Sequence, residues 1–190
     1  MQLINTEGLA LIGPGSEWFW SMLQFVVVAV TLVGIYYQLR IAQSANAFTQ
    51  LNELVDEWQG ERMVRKRLAV LAAIRDGAAL ADVPASPAAD VANYWEKVAA
   101  LARAGHVSVN LVAEGLGAAD RWWGTLGPWV AKVRVEDANP GLFEHFEWMA
   151  ASLVRLHPAL AFDQAEFERT VGDSVASLET ALRDLEAMRR

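Results

Sequence analysis

The chain of 190 residues contains no cysteine. That excludes a disulfide framework, thiolate-bound zinc, a thiolate-held iron–sulfur cluster and a cysteine nucleophile. Histidine is scarce as well. His106, His145 and His157 never stand three or four residues apart, and neither HExxH nor Glu-x-x-His occurs. No P-loop, no GxGxxG after a strand and no GxSxG is present. Gly115 and Gly117 sit in a helical context and are too few to cradle a phosphate. Positive charge is in deficit, 16 Lys+Arg against 23 Asp+Glu for a net charge of −7. That balance argues against a nucleic-acid partner. Residues 1–39 hold no Lys or Arg at all. These absences leave no catalytic, cofactor-binding or metal-ligating constellation, and no cofactor is expected.

What is present is an apolar excess, 54% hydrophobic residues against 21% charged. It concentrates between Trp18 and Leu39, WFWSMLQFVVVAVTLVGIYYQL, where no charge occurs. At 1.5 Å per residue this run spans roughly 33 Å, about the hydrocarbon thickness of a bilayer. Trp18 and Trp20 mark one end; Tyr36, Tyr37 and Arg40 mark the other. Amphipathic rings and a terminal cation are what membrane–water interfaces select as anchors. A cleavable signal peptide would need a basic start, a shorter apolar stretch and a small-residue cleavage site, none of which is found. A core helix of this length would need a larger protein around it. The run is therefore read as a transmembrane helix.

The basic residues all follow the run, so the positive-inside rule orients the chain. Residues 1–17 are expected as a short extracytoplasmic tail, broken at Gly13-Pro14-Gly15 with Ser16 as helix cap. Residues 18–39 cross a bacterial inner (cytoplasmic) membrane. Residues 40–59 continue the helix as a stalk, and 60–190 form a cytoplasmic α-helical domain. Along the stalk, Ile41, Ala45, Phe48, Leu51 or Asn52, Val55 and Trp58 recur at helical spacing.

Beyond Gly60 the pattern stays helical, with no sustained alternation of the kind strands show. A second helix covers 61–76, with Met63, Leu68, Leu71 and Ile74 inward. After a loop from Gly77, Ser86-Pro87 reads as cap and first turn of a third helix, 88–104, ended by Gly105. Ser108 caps a fourth, through Asp120 or Trp123, and Leu126 to Val135 forms a fifth around Pro128. Asn139-Pro140 opens a sixth, stopped by His157-Pro158. Asp163 caps the last, whose Val171, Val175, Leu178, Leu182 and Leu185 make a seam two heptads long. That is short for a coiled coil, so bundle packing is expected. The fold class is all-α: an N-terminal transmembrane helix, a stalk and a helical bundle.

Two stretches, NYWEKVAALARAGHVSVNLVAEGLGAADRWWGTLGPWVAKVR and NPGLFEHFEWMA, resemble a family of small bacterial membrane-anchored helical proteins of unknown function. The shared features are a span leading into a long helix, an aromatic–Glu pair (Trp95-Glu96), then a Trp, a Pro and an Arg (Trp122 or Trp123, Pro128, Arg134), and a late aromatic-rich helix. The similarity covers most of residues 18–150. It implies architecture and transfers no activity.

Two groups suggest contacts. Within the span, Ser21, Gln24, Thr31 and Gln38 fall within about 100° of arc, with Val28 and Ile35 on the same seam. Amides in lipid must find hydrogen bonds elsewhere, and across a helix–helix contact each contributes about 0.6–2 kcal/mol. The stripe is expected to face protein. The cluster Arg62, Arg65, Lys66 and Arg67 either pairs with Glu53, Asp56 and Glu57 or meets anionic lipid headgroups. The expected function is a non-enzymatic, single-pass membrane subunit that contacts lipid and self-associates or joins other integral membrane proteins. A homo-oligomeric pore lined by the stripe is the alternative, and a membrane-proximal enzyme the third reading.

Because the chain has no cysteine, one introduced at Thr6 reports orientation. It should react with an impermeant maleimide added outside intact cells. Labelling only after the cells are opened would reverse the orientation.

Overall fold

The computed structural model describes residues 17–117, 119–158 and 161–188, the side chains of 42–46 excepted. The expected tail, its Gly13-Pro14-Gly15 break and the Ser16 cap lie outside the described residues, as does the side chain of Ala45. Among the described residues there are seven α-helices and a short 3-10 turn (Leu80–Asp82), and no strand. The helices are α1 (Glu17–Gln59), α2 (Glu61–Arg75), α3 (Ala85–Arg103), α4 (Val109–Gly115), α5 (Ala119–Glu136), α6 (Glu144–Leu156) and α7 (Gln164–Met188). The chain divides into two units, Met1–Asn46 and Ala47–Arg190.

In the first unit, Glu17–Ile41 is long and apolar enough to cross a membrane, and none of its apolar stretch is buried within the fold. The second unit is a helical bundle. It begins earlier than residue 60, because Leu51, Leu54 and Trp58 of α1 are buried in its core. The inward side of α1 is this i, i+3, i+7 set, while Ile41 and Phe48 are exposed. The core is continued by Val70 and Leu71 of α2, Val91, Trp95 and Val98 of α3, Leu126 and Val130 of α5, Phe146 and Met149 of α6, and Val171 and Val175 of α7.

Helix α7 lies antiparallel to α2. Arg65 near the start of α2 pairs with Glu186 at 2.6 Å, and Arg75 at its end with Glu179 at 3.7 Å. The seam of α7 is thus bundle packing. Its cap is as the sequence implies: Asp163 Oδ1 accepts from the Ala165 and Glu166 amides at 2.9 and 3.2 Å. Ser108 likewise accepts from Leu111 N at 3.1 Å.

Three local expectations need correction. Helix α3 starts at Ala85, behind Pro84, and Ser86 lies inside its first turn rather than capping it. The fourth helix ends early at Gly115. Gly117 adopts a left-handed φ of 55° and its amide closes on Val112 O at 3.1 Å, a conformation with little cost only for glycine. A single α5 then replaces the expected fourth-to-fifth junction and runs through Pro128. The proline removes one helix hydrogen bond and costs about 3 kcal/mol. The buried Leu126, Trp129 and Val130 around it each contribute about 1.5–3 kcal/mol, so packing outweighs the break. Finally, Asn139 caps a turn, accepting from Gly141 N at 3.2 Å, and α6 begins only at Glu144.

Two helical glycines should respond oppositely to alanine. A Cβ on Gly124 would stand 2.1 Å from Cγ of Phe162, whereas nothing lies within 4 Å of one on Gly172. Gly172→Ala should stabilise by about 0.5–1 kcal/mol through helix propensity. Gly124→Ala should destabilise by about 1–2 kcal/mol, because displacing the ring exceeds the same gain. Urea unfolding followed by circular dichroism measures both.

Candidate functional site

The residues carrying the family resemblance converge on one node where α3, α5 and α6 meet the end of α1. Trp58 stacks on Tyr94 with ring centroids 4.7 Å apart and meets Trp95 and Trp122 edge-on at 5.1 and 5.8 Å. Trp95 stacks in turn on Phe146 at 6.1 Å, and Trp123 meets Phe146 edge-on at 5.1 Å. The Tyr94 hydroxyl donates to Leu54 O at 2.9 Å. Burial pushes the Tyr94 phenol well above its ordinary pKa, with the Glu57 charge adding and Arg67 opposing. Tyr94 therefore stays neutral and acts as a donor.

Glu96 sits beside this stack and caps a helix in another part of the chain. Its Oε2 accepts from Phe146 N at 2.8 Å; its Oε1 accepts from His145 N at 3.3 Å and lies 2.7 Å from His145 Nδ1. The start of α6 needs this help. Phe143, at its N-cap position, has a left-handed φ of 59° and offers no side-chain cap. A left-handed non-glycine residue costs roughly 1–2 kcal/mol. The buried Phe143 ring, 6.1 Å from Trp129, and the carboxylate at the positive helix end offset that strain. Arg134 holds the preceding turn: its Nε donates to Leu142 O at 2.8 Å and its Nη2 pairs with Glu147 at 2.9 Å. Trp95-Glu96 and Arg134 are thus joined by what they do to α6. The sequence signal that would have found the cap is the lack of any capping side chain before Glu144.

The predicted site residues fall into separate groups. Ser21, Gln24, Thr31 and Gln38, with Trp18, Trp20, Tyr36 and Tyr37, are exposed along α1, as is Arg40. Thr31 needs no partner, because its hydroxyl donates to Val27 O at 2.8 Å; the stripe's unmet demand rests on the glutamine amides. The basic cluster does not act as a unit. Arg65 pairs with Glu61 and Glu186, and Lys66 with Asp90 at 2.8 Å. Arg67 turns inward over the Trp58 ring at 4.2 Å and donates to Trp58 O at 2.9 Å. Arg62 alone of the four is exposed without an ion pair among the described residues. None of the pairs is with Glu53, Asp56 or Glu57. Those acids lie on the preceding helix, and α2 turns its basic face towards α3 and α7; Glu57 pairs with Lys97 instead. His106 and His157 are exposed, and His145 is taken by Glu96. Among the described residues no group of three or more His, Asp or Glu could hold a metal ion.

Glu96→Ala leaves two α6 amides without an acceptor and should destabilise the bundle by about 2–3 kcal/mol. Glu96→Gln should lose less, since the amide oxygen still accepts. Equal losses in urea unfolding of the two variants would show that the charge, not the cap, is what counts.

A model of a domain of unknown function, DUF4760, matches residues 22–153, from the second turn of α1 to the last turn of α6. No curated protein and no solved structure matches the chain. The match covers more than half of the sequence and contains the aromatic node; among the described helices α7 lies wholly outside it, with the first turn of α1 and the last residues of α6. The chain belongs to the DUF4760 family.

Proposed function

We propose that this protein is a single-pass, membrane-anchored helical subunit whose span contacts a second span, either in another copy or in a larger membrane complex. The observation that carries the reading is the uncovered apolar helix Glu17–Ile41. Its large side chains, Phe25 at 74% exposure and Val30 at 67% among them, would each cost about 1.5–3 kcal/mol in water. The set amounts to an order of tens of kcal/mol, against the roughly 5–15 kcal/mol that keeps a domain folded. Lipid or another apolar surface therefore has to cover it.

The contact within the bilayer rests on Gln24 and Gln38. Both are exposed on one arc of α1, and an amide facing hydrocarbon is unfavourable until bonded. The orientation, tail outside and helical bundle in the cytoplasm, rests on the confinement of basic residues to Arg40 and beyond. A scaffolding rather than catalytic role is supported by what the polar groups of the node do: Glu96, Arg134 and Tyr94 are all engaged in holding helices together.

Purification in mild detergent followed by mass measurement of the intact particle tests this. The expected result is a multiple of the chain mass or a larger complex, reduced to the monomer by Gln24→Leu with Gln38→Leu. A wild-type monomer overturns the association. Solubility of the full chain without detergent or lipid overturns the anchor.

A further inference from the structure

Where the first turns of α5 meet α2 and α7, a groove of about 390 Å³ opens, within the range of about 300–1,000 Å³ usual for small-molecule sites. Arg67 and Arg121 line it, together with Ser177 and the apolar side chains of Trp122, Phe167 and Leu178. All of these residues belong to the unit Ala47–Arg190, so the groove is formed without any contribution from the apolar span.

Arg67 is unlike its neighbours on α2. Among the described residues its one hydrogen-bond acceptor is the neutral Trp58 carbonyl, its Nε is buried with no partner, and no carboxylate lies within ion-pair distance. Burial pulls its guanidinium down to about 10. At neutral pH it is still cationic, so a partly dehydrated charge rests on the Trp58 ring face without a counter-charge, an arrangement that an anion would favour. Arg121, on the same groove, is exposed and makes no ion pair among the described residues. Asp173 also lines the groove but pairs with neither arginine. An adjoining hollow of about 570 Å³ shares Arg121 and Asp173 with the groove and adds Asp120, Asp163 and Glu166, so negative charge is denser on that side and an anion is favoured at the Arg67 end.

We infer that this groove binds a small organic oxyanion, a carboxylate or phosphate monoester on an apolar stem. Its head meets Arg67 and Arg121, whose planar donors match such oxygens in pairs. Its stem lies against Trp122, Phe167 and Leu178. A soluble metabolite or a lipid can both supply that chemistry.

Full-length protein in nanodiscs of zwitterionic lipid is titrated calorimetrically with phenyl phosphate, with soluble dihexanoyl phosphatidate, and with benzyl alcohol as the uncharged control. Saturable binding of phenyl phosphate points to a soluble ligand. Binding of the phosphatidate alone points to a lipid. Either result supports the site if Arg121→Gln weakens it about tenfold, the effect of one charge-assisted bond, and Ser177→Leu, which fills the groove, abolishes it. Arg67→Gln should abolish it too, and is scored only with its helical circular dichroism retained. No binding of either anion, equal binding of benzyl alcohol, or affinity unchanged in both Arg121→Gln and Ser177→Leu overturns the proposal.

Discussion

The indole of Trp58 is in contact with Tyr94, Trp95 and Trp122 and carries the Arg67 guanidinium on its face. Through that one side chain the last turn of α1 is joined to α2, α3 and α5. Large rings tolerate few arrangements, since offset stacking and edge-on contact are favoured over other geometries. Dense packing also means a displaced ring displaces its neighbours. The polar tips follow from the same constraint. Tyr94 reaches the Leu54 carbonyl because its ring is held against Trp58, and Arg67 reaches the Trp58 carbonyl for the same reason.

Charge plays two roles in this bundle. The pairs Lys132–Asp82, Arg103–Glu144 and Arg75–Glu179 lie at the surface, and exposed pairs of this kind contribute about 0–1 kcal/mol each. They select orientation, as in the antiparallel docking of α7 on α2, more than they add stability. Glu96 differs because its partners are backbone amides at a helix start, with few alternatives once water is excluded. Arg67 differs in the opposite sense, having more donor capacity than the fold uses.

The family match ends at Leu153, while the groove beside Arg67 is completed by Phe167, Ser177 and Leu178 of α7. The aromatic node therefore belongs to the matched region, and the groove needs a helix outside it. Helix α7 packs mainly on α2 and adds Phe167, Val171 and Val175 to the core that α3, α5 and α6 share.

The uncharged run to Leu39, the helical periodicity and the caps at Ser108 and Asp163 were legible because each depends on residues near in sequence: hydropathy along one helix, or a side chain meeting an amide two or three positions on. The local signals misled at Ser86 and at Asn139-Pro140, where the same cap and proline grammar suits a turn as well as a helix, and at Gly117, which ends α4 instead of lying within it. The helix expected around Pro128 is present, and it starts earlier, at Ala119, with the buried Leu126 and Trp129 on either side of the proline. The Arg65–Glu61 pair has the i, i+4 spacing of one helix face and is legible in the sequence, but the pairing of Arg65 with Glu186, of Lys66 with Asp90 and of Arg67 with the Trp58 carbonyl, and the reach of Glu96 across to α6, could not be read from spacing. Sequence alone determined that the chain is helical and where its apolar run lies, since both are sums over neighbouring residues. Tertiary structure alone decided which charge is left facing a groove and how the distant charges are neutralised, because contacts such as Glu96–Phe146 and Arg65–Glu186 join residues 50 and 121 positions apart.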